Sequence, residues 1–271
     1  MRTPVRRPTK RAMSRGNSAS SDVSSGPMST RRTFLESLAL GGLATLATRT
    51  GVVSAQTAGR EGVRVLRDAV DLGRQLRGSS LTVTGWQDQV EPLMRRCSVA
   101  ELMSAIDLPA LRAQARPVSR GASILRVPLF HQLGADEGAD VKIFFLREGR
   151  SDPPHVHFNL VAAHIVLEGR FRVRHFDRLS EARGGFIIQQ THDRVLNVGE
   201  VSSISDERNN GHWHHALSDG VLLDVQQGRI DPSLPIRRRE MIDPEPEPAA
   251  SPDASFFARR LSRARALRRY G

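Results

Sequence analysis

Two histidines, His155 and His157, stand in the chain with a single residue between them. In a β-strand, alternate side chains point to the same face, so both imidazoles can reach one metal ion. Pro153 and Pro154 come directly before them and stiffen the start of that strand, because proline fixes the backbone angle φ. Imidazole binds Fe, Mn, Ni, Cu and Zn alike, so the pair predicts a transition-metal site without selecting the metal. The alternative is a pair of ordinary polar residues in a loop before a strand.

The glycines around this pair are spaced as in the first motif of the cupin superfamily, which this stretch resembles. That motif consists of Gly, five residues, His-x-His, three or four residues, Glu, six residues and Gly. Its counterparts here are Gly149, His155, His157 and Gly169. The resemblance covers residues 122–230. It implies a double-stranded β-helix barrel in which inward-facing side chains hold the metal.

Ala162 stands at the position of the motif's glutamate, and no carboxylate replaces it there. His164 lies two residues further on and faces the same side of the strand. Glu168 shares that parity but stands in the turn before Gly169, too far along the strand. The resemblance therefore implies either a three-histidine site, as in cupin-fold thiol dioxygenases, or a site in which His164 takes the vacant place. The alternative is that His164 is a hydrogen-bonded residue of the core.

The place of the second cupin motif is filled by a run of histidines, Gly211-His212-Trp213-His214-His215. Many cupins carry a His-Trp-His run here whose first histidine binds the metal, so the resemblance implies His212 as a ligand. His214 faces the same side and is the reserve ligand, whereas His215 faces the other way. The usual Pro-x-Gly of this motif is missing.

The resemblance thus implies a metal held by three or four histidines, namely His155, His157, His212 and His164. The predicted cofactor is a divalent transition metal, Fe(II) first, with Mn, Ni, Cu or Zn as alternatives. Open positions on the metal would bind a small substrate, and dioxygen where the metal is iron. The side chains predicted to line or back this pocket are Phe144, Arg172, Trp213 and His214. Arg172 is the candidate clamp for a substrate carboxylate, although an arginine-rich strand face is usually solvated.

The predicted function is that of a metal-dependent enzyme, an oxygenase or a related activity, which acts on a small organic substrate. The alternative is a non-catalytic barrel that binds a metal or a small ligand in the cell envelope. The sequence contains no Gly-x-Ser-x-Gly elbow, phosphate loop or dinucleotide fingerprint. Its single cysteine, Cys97, excludes an intramolecular disulfide. Cupins are often dimers, so the resemblance also implies a homodimer.

Local patterns predict a mainly β protein with a short helical lead-in over residues 56–121. Apolar residues recur at helical spacing in this lead-in, and Ser98 before Val99 is typical of a helix cap. From residue 122 the period changes to that of strands, predicted over 123–130, 141–146, 163–167, 171–176, 185–189, 201–204 and 220–225. Because these strands are short and no long helix interrupts them, an antiparallel barrel or sandwich is favoured over 122–232.

After residue 232 the chain loses this pattern. Residues 233–253 are predicted to form an acidic, proline-rich linker. Residues 254–271 carry six arginines and no acid, and are predicted to form a basic tail. Its apolar residues share one helical face, which would suit contact with anionic lipid or a partner. Because that face is small, a solvated and partly helical tail is favoured.

The formal net charge is +11, but basic residues are concentrated near the two ends of the chain. The body between them has nearly balanced charge, which makes a poor surface for phosphate. Nucleic acid is therefore not an expected partner.

Arg31 and Arg32 are followed one position later by Phe34-Leu35 and then by a Gly- and Ala-rich apolar stretch that is too short to span a bilayer. Small residues follow and end at Ala55. This order resembles a twin-arginine signal peptide over residues 28–55, with cleavage after Ala55. It implies the twin-arginine translocation machinery as a partner and a periplasmic or otherwise extracytoplasmic mature protein. The alternative is a basic N-terminus with a chance pair of arginines.

The residues before this segment, 1–27, have almost no apolar content. Such a stretch buries too little surface to fold. It is predicted to be disordered, or to be a gene-model extension ahead of a true start at Met28.

Overall fold

The described residues of the computed structural model are 59–128, 138–234, 239–245 and 254–271. The predicted signal residues Arg31, Arg32 and Ala55 lie outside them, and their roles stay predictions. None of the described helices combines the length and the apolar character needed to cross a membrane.

In the described part of the chain, four helices precede the strands and a fifth ends the chain. They are α1 (Arg60–Arg77), α2 (Val83–Met94), α3 (Val99–Ala105), α4 (Leu108–Gln114) and α5 (Arg263–Tyr270). The cap predicted for α3 is present: Ser98 Oγ accepts from the N–H of Glu101, and the Glu101 carboxylate accepts from the N–H of Ser98. Such a reciprocal cap satisfies backbone donors that the first turn leaves free.

Eleven strands are present in the same described residues. They are β1 (Ser123–Arg126), β2 (Ala139–Leu146), β3 (Ser151–Val156), β4 (Leu160–Glu168), β5 (Phe171–Ala182), β6 (Gly185–Leu196), β7 (Val201–Ile204), β8 (Gly211–Ala216), β9 (Gly220–Gly228), β10 (Glu240–Asp243) and β11 (Ser255–Leu261).

The strands form two antiparallel sheets. The first has the order β1-β2-β9-β4-β7, and the second has the order β10-β11-β6-β5-β8-β3 and closes because β10 also pairs with β3. Between β2 and β9 the chain passes back and forth, so that β2, β4, β7 and β9 lie in the first sheet and β3, β5, β6 and β8 in the second. This is the strand order of a double-stranded β-helix. The predicted mainly β barrel with a preceding helical segment is confirmed.

The first sheet separates two environments, because successive side chains of a strand point to opposite faces. One face packs against the helices, where α1 and α2 bury Leu66 and Trp86 in the same apolar core as Ile143 and Val161. The other face turns toward the second sheet. The space between the two sheets is where the predicted site residues meet.

The C-terminal segments differ from their predicted form. Within 233–253, predicted as a linker, β10 pairs with both β3 and β11. Within 254–271, predicted as a solvated tail, β11 pairs with β6, and α5 packs on the second sheet with Ala266 and Tyr270 buried. Both predictions are corrected for the described residues, since β10, β11 and α5 are part of the folded barrel.

Apolar contact and charge pairing hold these segments in place. Side chains of β10, β11 and α5 share an apolar core with Trp213 of the second sheet. Arg260 pairs with Glu240, and Arg269 Nη1 lies 2.9 Å from Asp243 Oδ2. The acidic and basic runs of the sequence therefore neutralise one another. The two added strands also cover the edges of β3 and β6, which would otherwise expose unpaired backbone groups.

Candidate metal centre

The pairing of β3 with β8 places His155 opposite His212. The register of this pair shifts across Pro153-Pro154, where the prolines have no N–H to offer to β8. His157 lies just beyond the end of β3, and its carbonyl oxygen accepts a hydrogen bond of 3.0 Å from Asn210 Nδ2. These backbone constraints bring the three predicted ligands to one place.

The side chains of the three histidines converge through their Nε2 atoms. His212 Nε2 lies 2.8 Å from His155 Nε2 and 3.3 Å from His157 Nε2. A metal about 2.1 Å from each nitrogen separates two ligands by about 3.0 Å at a right angle and about 3.4 Å at the tetrahedral angle. The observed separations are therefore those of nitrogens that share one ion. The three histidines can hold a transition metal.

The protonation of these rings also suits a metal. His155 Nδ1 lies 2.7 Å from the carbonyl oxygen of Pro153, a contact in which only the ring N–H can donate, so Nε2 keeps its lone pair. Burial lowers the pKa of His155, His157 and His212 well below the usual range, and the charge of Arg239 adds to this effect at His155. Neutral imidazole is the form that binds a metal.

His164 lies beside this cluster rather than within it. Its nitrogens group with those of His212 and His214, but not with those of His155 and His157. His164 Nε2 lies 3.5 Å from Asp224 Oδ1, and burial lowers the pKa of the imidazole to about 4. The structure therefore does not bring His164 to the position of a fourth ligand. Among the described residues, the clusters of converging ligand atoms contain histidines only.

A cavity of about 160 Å³ between the two sheets is lined by all three histidines. Phe144 lines it, as predicted, and so does Ala162, which leaves room where the motif has a glutamate. Besides the three histidines, the polar residues of the wall are Lys142, Asp152, His164, Asp224, Gln226 and Arg239. A larger cavity of about 290 Å³ elsewhere has no histidine in its lining.

The charged residues of the wall were missed by sequence reasoning. Arg239 Nη1 lies 3.2 Å from Asp152 Oδ2, and Lys142 Nζ lies 3.9 Å from Asp224 Oδ2. Burial raises the pKa of Asp224 to about 7, against the opposing charge of Lys142. A signal for Asp224 was present, because it is the single charged residue in the apolar run 221–225. Arg239 stands far along the chain and had no such signal.

Three residues predicted for the pocket do not line the cavity. Trp213 packs 4.9 Å from the ring of Tyr270, on the face of β8 opposite His212. Arg172 is about half exposed and forms an ion pair of 2.7 Å with Asp193. Strand alternation explains both positions, and the assignment of these two residues to the pocket is corrected. The third, His214, is buried beside His164 and does not line the cavity.

No protein-family model matches the chain, and no curated protein matches it either. Among the solved structures that match part of the chain are cupin or double-stranded β-helix proteins. KdgF from Halomonas sp. is 18% identical over 44% of this chain and 92% of its own, with a TM-score of 0.32. A recombinant oxalate oxidase in complex with glycolate is 17% identical over 45% of this chain and 58% of its own, with a TM-score of 0.33.

The 11S globulin from Wrightia tinctoria is 15% identical over 43% of this chain, with a TM-score of 0.32. The match spans 27% of that protein's length. At such low scores, these similarities carry no argument about function, which rests on the site itself.

Proposed function

We propose that this chain is a metal-dependent enzyme of the cupin type, an oxygenase or a related activity that acts on a small organic substrate, with Fe(II) as its metal. The observation that supports this most directly is the convergence of three Nε2 atoms on one point of a cavity wall. All the ligands are nitrogens, and the motif position of the fourth ligand is occupied by Ala162. A three-histidine set leaves coordination positions open for small molecules.

The residues present fit this cofactor. His155, His157 and His212 would hold the ion, and the Pro153 carbonyl fixes the ring of His155 in the tautomer that binding requires. When bound, iron would supply the one-electron chemistry that dioxygen needs.

The wall of the cavity would select and orient the substrate. Its volume of about 160 Å³ is below the roughly 300–1,000 Å³ of pockets that hold drug-sized ligands, which favours a small substrate. Lys142 and Arg239 lie in this wall beside Asp224 and Asp152, so the wall offers charged donors and acceptors that would orient a polar group of the substrate. Phe144 and Ala162 form an apolar side that would exclude water.

Metal content and oxygen consumption test the proposal together. The purified protein should contain about one Fe per chain at its three-histidine site, and a His155→Ala/His157→Ala variant should lose that ion. His192→Ala is the matched control, since His192 is exposed and lies outside both histidine clusters. Oxygen consumption is then measured with thiols, phenols and keto acids. Purified wild-type protein without any bound transition metal would contradict the proposal.

The same experiment distinguishes the proposed enzyme from the alternative, a non-catalytic binder. A protein that binds its metal through His155 and His157 but consumes no oxygen with any of these substrates would be a non-catalytic metal or ligand binder of the cell envelope.

We further propose that the twin-arginine machinery exports the folded protein to the periplasm. The support is the arginine pair with its short apolar stretch and small-residue end, and this route carries proteins that are already folded. Replacement of Arg31 and Arg32 by lysine should retain the protein in the cytoplasmic fraction. Unchanged export of this variant would contradict the proposal.

A further inference from the structure

A second triangle of imidazoles lies next to the first and shares one corner with it. His164, His212 and His214 have ring centroids 4.5, 4.7 and 4.9 Å apart. The rings of the first cluster are 4.4, 4.7 and 5.1 Å apart. The second triangle therefore has the dimensions of the first, and one ligand nitrogen from each of its rings lies within 4.8 Å of the others.

Each ring of this second triangle carries a buried nitrogen without a hydrogen-bond partner. The atoms are His164 Nδ1, His212 Nδ1 and His214 Nε2. The three residues are only 4%, 2% and 2% exposed, so bulk water does not reach them. Buried polar atoms in folded proteins are almost always partnered, and three orphaned nitrogens in one triangle indicate a missing ligand. Ordered water is the other way to satisfy them.

His212 belongs to both triangles through different atoms. Its Nε2 faces His155 and His157, while its Nδ1, on the other side of the ring, is the unpartnered atom. A single imidazole presents its two nitrogens in divergent directions and can bind one ion through each. The arrangement is thus suited to two ions joined by one ring.

Two carboxylates lie near the second triangle. His164 Nε2 lies 3.5 Å from Asp224 Oδ1, and this buried oxygen has no hydrogen-bond partner. Asp152 places negative charge near both His164 and His214, while Lys142 places positive charge near His164. Three nitrogen donors without an oxygen suit borderline ions such as Zn²⁺, Cu²⁺, Ni²⁺ or Co²⁺.

We propose that His164, His212 and His214 bind a second divalent transition-metal ion, and that His212 bridges the two ions through its Nε2 and Nδ1 atoms. The inference rests on the proposed function in one respect, because His212 is also a ligand of the first site. Binding of the second ion replaces the remaining ring proton of His212, which leaves as H⁺ to solvent. The bridging ring is then an imidazolate.

The test is a metal count on the full chain, stripped with a chelator and reloaded with Cu²⁺ alone. Wild-type protein should bind about two ions per chain, and His214→Gln about one, because His214 contacts only the second triangle. His164→Gln is a second variant with the same expectation. His175→Gln is the matched control, since His175 is equally buried with unpartnered nitrogens but lies outside both clusters, and it should keep both ions.

Electron paramagnetic resonance of the same samples tests whether His212 bridges the two ions. An imidazolate couples two Cu²⁺ spins, so wild-type protein should show little of the signal of isolated Cu²⁺. The His214→Gln variant should restore that signal at about one spin per chain. Two uncoupled ions in wild-type protein would overturn the bridge.

Different results would overturn the second metal site and the proposed function. One ion in wild-type protein that persists in His214→Gln and disappears in His157→Ala overturns the second site and leaves the proposed function standing. An ion lost in His175→Gln as readily as in His214→Gln also overturns the second site. Wild-type protein that binds no ion overturns both.

Discussion

The two faces of the first sheet carry different residues although they belong to the same strands. Toward the helices stand buried apolar side chains, among them Ile143, Val161 and Leu223. Toward the second sheet, each next to one of these, stand Lys142, Ala162 and Asp224. Strand alternation thus lets one strand stabilise the fold with one face and shape a site with the other. Substitutions on the two faces should therefore have separable effects.

The largest effect on stability is expected on the helix-facing side. Ile143 is fully buried, so Ile143→Ala should lower the free energy of unfolding by about 2–5 kcal/mol, through lost burial and a cavity. The number of metal ions per chain should stay the same. Urea unfolding and metal analysis of one sample check both statements. Loss of the metal in the folded variant would contradict the prediction that the two faces of the first sheet have separable effects.

Metal addition should change stability only through the histidines that lie between the two sheets. At a metal concentration 100-fold above the dissociation constant of the His155/His157/His212 site, the ion at this site should add about 2.7 kcal/mol of stability to wild-type protein, because it binds the folded state alone. His157→Ala should lose this part of the gain but, without metal, unfold like the metal-free wild-type protein, since His157 is partly exposed. Thermal unfolding with and without metal measures both. An equal gain in the variant would remove His157 from the site.

A smaller effect is expected at the C-terminal helix, which tests whether the corrected tail contributes to the fold. The Tyr270 hydroxyl donates a hydrogen bond to Asp243. Tyr270→Phe removes this bond and should cost about 1 kcal/mol, measured by urea unfolding. Metal content should not change. A fully neutral result would mean that α5 contributes little to the stability of the barrel.

The smallest effect is expected at Arg172. Its ion pair with Asp193 is largely exposed, and exposed pairs contribute little. Arg172→Ala should therefore change the free energy of unfolding by less than about 0.5 kcal/mol. Any substrate found by the oxygen assay should keep its Michaelis constant, measured from initial rates. A large rise in that constant would return Arg172 to the pocket.

Much of the site could be predicted because its signals are local. The His-x-His spacing places His155 and His157 on one face of a strand from sequence alone. Alternation also places His212 and Trp213 on opposite faces of β8, so the two side chains cannot line the same pocket. The helical lead-in was predictable as well, since its apolar residues recur at helical spacing and Ser98 marks a cap.

The C-terminal strands were not predictable in the same way. The strand β10 has four residues, too few to display a period, and it pairs with β3 far earlier in the chain. Its acidic and proline-rich neighbourhood is typical of a linker. The charges that suggested two solvated runs instead pair with each other, as Arg269 does with Asp243.

The local sequence was enough to predict which histidines share a face, where helices change to strands and that nitrogen donors could form a metal site. It took the folded chain to show that His164 groups with His214 rather than His155, that Arg239 contacts Asp152, and that β10 and β11 close the second sheet. Side-chain parity is predictable because it follows from the local pleat of one strand. Contacts between strands depend instead on non-local pairing, whose partners lie far apart in the sequence.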